Sequence, residues 1–92
     1  MGSAFQSLGI SVMSPTLKRL GPYRFFFVSL DYGEPPHVHV QRERKIAKFW
    51  LNPVALADAG GFKAHELNRI ARLVQEHREE FLEQWYEFFG GT

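Results

Sequence analysis

Cysteine is absent from the chain, and so is any long hydrophobic run. Without cysteine, disulfide bonds, thiolate metal ligands and cysteine nucleophiles are excluded, and a reducing compartment is the natural setting. No apolar segment approaches the ~20 residues of a membrane-spanning helix, and the first residues lack the basic start and apolar block of a signal peptide. No phosphate-binding loop or glycine-rich dinucleotide fingerprint occurs either. We therefore expect a cytoplasmic protein with no membrane association and no cofactor.

An excess of charge of one sign is also absent. The 11 lysines and arginines nearly balance the 10 aspartates and glutamates, for a formal net charge of +1. Steering of the whole molecule toward nucleic acid or membrane is therefore small, and any anion site must be local. Aromatic residues, in contrast, are abundant: nine Phe, two Trp and three Tyr. They supply large core-forming side chains to a chain of 92 residues, which is the length of one domain.

The first part of the chain divides into an extension and two strands. Residues 1–12 are weakly patterned and rich in small side chains, so we expect a flexible N-terminal extension there and a single domain over 13–92. Segment 15–20 predicts a short edge strand. Segment 23–32 predicts a central strand, because it is rich in aromatic and β-branched residues and apolar on both faces.

Segments 37–42 and 45–51 predict a β-hairpin around the dipeptide Glu43-Arg44. This register pairs Arg42 with Lys45, Val40 with Ala47, His39 with Lys48 and His37 with Trp50. Because side chains alternate across a strand, the two faces separate. The predicted core face carries Val38, Val40, Ala47, Phe49 and Leu51. The opposite face carries His37, His39, Gln41, Ile46, Lys48 and Trp50.

The second half of the chain carries helix signals. Asn52-Pro53 is typical of an N-cap followed by proline at the first helical position, which predicts a short helix over 53–59 that ends at Gly60-Gly61. From 64 to 89 apolar residues recur at spacings of three and four, with one gap near residue 77, which predicts a long C-terminal helix. The expected fold is α+β: an antiparallel sheet of three to four strands packed on one face by the long helix, with the short helix before it.

The most informative polar feature is a histidine pair on one predicted strand. His37 and His39 are two residues apart, so their rings lie on the same side about 6.5–7 Å apart. They can flank a phosphate, one as general base and one as general acid. Lys48, opposite His39, would lower the histidine pKa and stabilise charge on a phosphoryl oxygen. This arrangement predicts metal-independent RNA cleavage with His37, His39 and Lys48 as the catalytic residues.

The same pair allows two other interpretations. His37 and His39 can bind one divalent metal ion, but such a site needs a third ligand, and Lys48 would repel the cation. The candidates for that ligand, by expected nearness in the fold, are Asp31, Glu34 and His77. The structural interpretation is that the two rings hydrogen-bond a loop or a helix end and pack on Trp50.

Further binding residues are predicted around the histidine pair. Trp50 can stack an RNA base, although burial under a neighbouring segment is the commoner outcome for a tryptophan in so small a domain. Arg42, near the hairpin tip, can contact a phosphate or be a solvated turn residue that protects against strand pairing. Arg24 and Gln41 complete the set of residues that we expect to contact RNA.

The segments GPYRFFF, EPPHVHV, AKFWL and the GGF before the long helix resemble a bacterial family known as domain of unknown function 4160. The resemblance runs from about Ser14 to Gly90. The recurrent polar features of that family match Pro35, Pro36, His37, His39, Ala47 and Lys48 of this chain. Lys63 departs from the family, whose members often carry a serine-type helix cap there. Members are typically encoded beside another small family, domain of unknown function 2442, in pairs that resemble toxin–antitoxin modules.

The resemblance implies a cognate small partner protein of the domain of unknown function 2442 type and, more loosely, a nuclease-like or translation-directed activity. The first hypothesis is therefore a small component of a toxin–antitoxin-like pair whose histidine and lysine face binds RNA phosphate and cleaves it. The alternative is a non-catalytic interaction module that buries Trp50 against the partner. A structural or catalytic metal at His37 and His39 is the third hypothesis, and a homodimer is compatible with all three.

Overall fold

The computed structural model describes residues 16–90 as a five-stranded antiparallel sheet with two helices. The strands are β1 (Thr16–Leu20), β2 (Tyr23–Phe26), β3 (His37–Arg42), β4 (Lys45–Leu51) and β5 (Val54–Asp58), and they lie in the sheet in chain order. The helices are α1 (Ala64–Glu76) and α2 (Arg78–Phe89). The α+β class is therefore confirmed. The predicted flexible extension over 1–12 lies outside the described residues.

The β3–β4 hairpin has the register that alternation predicts. His39 lies opposite Lys48 and His37 lies opposite Trp50. The turn contains Glu43 with a φ of 58°, a left-handed conformation that Asn or Gly more often adopts in such loops. A slip by one residue would exchange the two faces of both strands, so the buried face is what specifies this register.

The core lies between one face of the sheet and both helices. All five residues of the predicted core face are buried: Val38, Val40, Ala47, Phe49 and Leu51. Aromatic contacts join the sheet to α2, where Phe25 stacks on Phe81 with ring centroids 5.4 Å apart and Phe27 meets the edge of Trp85 at 5.2 Å. Such pairs contribute about 0.5–1.5 kcal/mol each beyond their buried area. Phe25 of β2 and Phe27, which directly follows this strand, thus attach the sheet to the C-terminal helix.

The prediction of a short helix over 53–59 is wrong, because Val54–Asp58 is the strand β5. Asn52 and Pro53 form a turn with a cis peptide bond, after which Val54 pairs with Leu51 and Ala55 pairs with Trp50. A short isolated helix is weak in water, whereas an added strand satisfies the backbone groups at the open edge of β4. The same strand is why the sheet has five strands instead of the predicted three to four.

The predicted strand over 23–32 is also too long. Strand β2 ends at Phe26, and Ser29–Asp31 forms a short 3-10 turn in which the Asp31 amide donates to the Val28 carbonyl at 3.0 Å. Leu30 lies within the predicted strand, whose two faces were expected to be covered, but it is 69% exposed. The turn folds the chain back toward the start of β3, and this change of direction decides where Asp31 lies.

The predicted long C-terminal helix is two helices, separated at His77 (φ −107°, ψ 14°). Directly after the break, Arg78 donates from Nε to the Leu51 carbonyl at 2.8 Å and from Nη2 to Asn52 Oδ1 at 2.7 Å. The break coincides with the gap in the apolar pattern, and it lets Arg78 bond the turn between β4 and β5. Within residues 16–90, neither helix is long and apolar enough to cross a bilayer.

Candidate functional site

A cluster of Asp31, His37 and His39, called here the His/Asp cluster, lies where the 3-10 turn meets the start of β3. Asp31 Oδ2 is 2.8 Å from His37 Nε2 and 3.0 Å from His39 Nε2. The two histidines share one side of β3 because they are two residues apart, and the turn brings the carboxylate to both of them. The candidate atoms of the three side chains all lie within 4.8 Å of one another, so together they could hold a metal ion.

His37 is the buried member of the cluster, with no exposed side-chain surface. Its Nδ1 lies 3.0 Å from the Pro35 carbonyl oxygen, so both ring nitrogens have partners. The ring also packs near Trp85 at 5.0 Å and against the edge of Trp50 at 5.6 Å. The loop before β3 and the two tryptophans therefore fix the orientation of this ring.

His39 is the accessible member, with 16% of its side chain exposed. Its ring stacks on Phe26 with centroids 5.4 Å apart. Burial lowers the pKa of His39; the hydrogen bond with Asp31 opposes that shift, and the charges of His37 and Lys48 reinforce it. Burial by itself would raise the pKa of Asp31, but its hydrogen bonds with His39 and His37 outweigh burial and hold that pKa below its usual value.

Lys48 lies opposite His39, as predicted, but its ammonium group has a partner of its own. Nζ is 2.5 Å from Glu34 Oε1 and 4.8 Å from the centre of the Trp50 ring. Glu34 Oε1 is also 3.8 Å from His37 Nδ1, so this ion pair stands beside the cluster. Partly exposed ion pairs of this kind contribute only ~0–1 kcal/mol, and a lysine ammonium has three donors, so Lys48 can also contact a second acceptor.

Arg24 and Gln41 lie on the same side of the sheet as His39. They face each other across β2 and β3, and Arg24 Nη1 donates to Gln41 Oε1 at 2.9 Å. The Arg24 guanidinium carbon is 4.3 Å from the centre of the Phe26 ring. The structure therefore brings these two predicted binding residues next to the ring on which His39 stacks.

Arg42 does not belong to this surface. It pairs with Glu66 of α1 at 2.6 Å, and the same Glu66 oxygen accepts a hydrogen bond from the Tyr23 hydroxyl at 2.8 Å. Alternation along β3 places Arg42 on the side of Val38 and Val40, toward the helices. Its contact with RNA stays a prediction, and in this structure Arg42 joins the sheet to α1.

Of the three candidate third ligands, the fold selects Asp31. Glu34 forms an ion pair with Lys48. His77 lies directly before α2, where its Nδ1 is 3.5 Å from Glu80 Oε1. Sequence reasoning named Asp31 only for its expected nearness in the fold. What it missed is the 3-10 turn that replaces the end of the predicted strand, together with the Pro35 carbonyl that orients the first histidine.

Comparison with known proteins gives one result. The family model described as Domain of unknown function (DUF4160) matches residues 23–86, which includes the His/Asp cluster and strands β2 to β5. No curated protein and no solved structure is significantly similar to the chain. The matched segment covers more than half of the sequence and contains the recurrent polar features of the resemblance, from Pro35 to Lys48. The chain therefore belongs to the DUF4160 family.

Proposed function

We propose that this protein binds single-stranded RNA on the sheet face that carries His39, as one component of a toxin–antitoxin-like pair. One observation supports the proposal most directly: cations and aromatic rings alternate on that face. Arg24 lies over Phe26, and Lys48 lies over Trp50. Proteins that bind single strands combine rings that stack bases with cations that contact phosphates, and each stacked base contributes ~1–3 kcal/mol.

The balanced net charge limits how this binding works. With a formal charge of +1, the chain has few cations to spare for the phosphate backbone. Binding should therefore depend on a few local contacts and show a shallow salt dependence, with a slope of about −0.7 for each phosphate contacted on a single strand. Base stacking on Trp50, which is partly exposed, should supply much of the affinity.

Cleavage by the histidine pair has less support than binding. An acid–base pair must touch the substrate from two sides, whereas His37 has no exposed side-chain surface. The Asp31 carboxylate also lies between the two rings and would repel a phosphate there. His39 and Lys48 are the predicted catalytic residues that a bound strand can reach with the smaller rearrangement.

The test is fluorescence anisotropy with labelled single-stranded RNA at low salt. We expect Trp50→Ala and Lys48→Ala each to weaken binding about tenfold, as loss of one stacked base predicts for the tryptophan. The matched controls are Tyr86→Ala and Lys63→Ala, an exposed aromatic residue and an exposed lysine elsewhere, which should bind as the unchanged protein does. Absence of RNA binding by the folded protein, or equal losses in the control variants, would refute the proposal.

A second candidate function is recognition of a cognate small protein of the domain of unknown function 2442 type. The observation that favours it is the exposure of two large side chains beside Asp31: Leu30 is 69% exposed and Tyr32 is 75% exposed. Exposed apolar and aromatic residues on one loop are typical of interface anchors. The test is co-purification of the two proteins after co-expression. Leu30→Ser with Tyr32→Ser should abolish co-purification, Tyr86→Ser should not, and equal retention by both variants would remove this candidate.

A further inference from the structure

We propose that Asp31, His37 and His39 bind a divalent first-row transition-metal ion of the Zn²⁺ class. The inference goes beyond RNA binding and does not depend on it. It rests on three observations: the hydrogen bond that orients His37, the spacing of the three candidate ligands, and the ion pair between Lys48 and Glu34.

The hydrogen bond of His37 determines where its lone pair lies. The Pro35 carbonyl can only accept, so the His37 Nδ1 at 3.0 Å carries the hydrogen. In the neutral ring Nε2 then has a lone pair, which is directed at Asp31 Oδ2 only 2.8 Å away. Two acceptors at that distance repel unless a proton or a metal ion bridges them, so the pair offers two donor atoms to a cation. Metal-binding histidines commonly donate their other ring hydrogen to a backbone carbonyl in the same way.

The three candidate ligands are already close to metal-binding positions. Around a tetrahedral Zn²⁺ with bonds of ~2.0–2.1 Å, neighbouring ligand atoms lie about 3.3 Å apart. Asp31 Oδ2 is 2.8 Å from His37 Nε2 and 3.0 Å from His39 Nε2, so these two distances need to widen by a few tenths of an ångström. The ligand atoms of the two histidines lie within 4.8 Å of each other, a distance from which they can close on an ion. Two ligands project from a paired strand, which limits how far they can move.

The chemistry of the donor set selects the kind of ion. Two imidazoles and one carboxylate suit Zn²⁺, Fe²⁺, Co²⁺ or Ni²⁺, whereas Mg²⁺ and Ca²⁺ prefer oxygen ligands throughout. Three protein ligands also leave a coordination position for water or another molecule, which is typical of sites that act on a substrate.

The positive charge of Lys48 would repel a bound cation, but the carboxylate of Glu34 compensates that charge. Its ammonium group is paired with Glu34 at 2.5 Å. That carboxylate lies on the His37 side, 3.8 Å from Nδ1, so it adds negative potential next to the cluster. Phe26 and Trp50, which contact the two histidines, line the site with apolar surface. The local charge therefore permits a cation even though a lysine lies opposite His39.

The experiment uses the full chain, freed of metal with a chelator, and titrates it with Zn²⁺ by calorimetry and with Co²⁺ by visible absorption. We expect a single site with ligand-field absorption typical of Co²⁺ bound to nitrogen and oxygen, and no binding of Mg²⁺ at the same concentration. Asp31→Asn and His39→Ala should each weaken Zn²⁺ binding by at least ~100-fold, beyond the range for a residue outside the coordination sphere. His65→Ala, an exposed histidine on α1, should leave it unchanged.

Two results of these titrations would overturn the proposal. It fails if the folded protein binds neither ion. It also fails if Asp31→Asn and His39→Ala bind as tightly as His65→Ala. These variants replace partly exposed groups, so folding can be verified by circular dichroism, whereas His37→Ala opens the core. Asp31→Asn should lose the metal and keep RNA binding, which separates this proposal from the preceding one.

Discussion

Replacing Gly60 with alanine is expected to destabilise the fold far more than the same change at Gly21. Both glycines have a φ of +58°, in the left-handed region. For a residue with a side chain this conformation costs roughly 1–2 kcal/mol, and the smaller freedom of alanine in the unfolded chain returns ~0.4–1 kcal/mol. The backbone contribution is therefore the same at the two sites, about 0.5–1.5 kcal/mol of lost stability.

The two sites differ in the space around them. A Cβ at Gly21 meets no atom within 4 Å, whereas a Cβ at Gly60 would lie 1.8 Å from the carbonyl oxygen of Ile46. That oxygen belongs to the backbone of β4, so it cannot move aside as a flexible side chain can. Overlap with well-packed surroundings costs about 1–3 kcal/mol or more. We expect Gly60→Ala to lose about 1–3 kcal/mol or more beyond the loss in Gly21→Ala, against typical domain stabilities of ~5–15 kcal/mol.

The assay is thermal and urea unfolding of both variants, followed by circular dichroism. At about 4–8 °C per kcal/mol for a domain of this size, Gly21→Ala should lower the melting temperature by roughly 2–12 °C and Gly60→Ala by roughly 4–24 °C more than that. Equal losses in the two variants would refute the reasoning, because they would mean that the approach of residue 60 to β4 carries no steric constraint.

Three further predictions concern the attachment of the helices to the sheet. Hydrogen bonds from Tyr23 and Arg42 hold the pKa of Glu66 below its usual 4.5. The stability that these bonds provide above that pH should therefore be lost as the pH drops through the folded-state pKa, and we call this decrease the acid slope. Glu66→Gln should flatten the acid slope measured by urea unfolding. Arg78→Ala removes two bonds to the turn between β4 and β5 and should cost ~1–3 kcal/mol in urea unfolding. Phe81→Ala removes a fully buried ring and should cost ~3–5 kcal/mol in thermal unfolding.

Each of these predictions has a control of the same residue type. The exposed Glu83→Gln should keep the acid slope, Arg72→Ala should change stability by less than ~0.5 kcal/mol, and Phe88→Ala, which replaces a ring that is 43% exposed, should cost well under half as much as Phe81→Ala. An acid slope that survives in Glu66→Gln, or controls as damaging as their buried counterparts, would contradict the contacts described for the helices.

The position of Asp31 changes the chemistry of the histidine pair. From the sequence, two imidazoles and a lysine indicate an anion site. In the fold, a carboxylate lies against both ring Nε2 atoms, and the lysine is paired with Glu34. A carboxylate therefore lies at the centre of the cluster, which suits an anion less well than the sequence indicated, while Arg24 and Trp50 lie on the same sheet face.

Some features of this protein followed from local pattern. Strict alternation placed His39 opposite Lys48 and predicted the buried face of β3 and β4, because the period of a strand is two residues and a one-residue slip would bury the polar set. The apolar repeat of the C-terminal segment likewise predicted helix, and its gap marked the place where α1 ends and α2 begins.

Other features depended on contacts distant in sequence. Asn52-Pro53 suits a helix start and a turn equally well, and the open edge of β4 decided in favour of a turn and a strand. Segment 23–32 is apolar enough to continue as a strand, but the fold ends β2 at Phe26 and brings Asp31 to the histidines. Tertiary structure decided these segments because a short segment has nearly equal local preferences for helix, strand and turn. Hydrogen bonds and burial against distant parts of the chain are then large enough to select one of them.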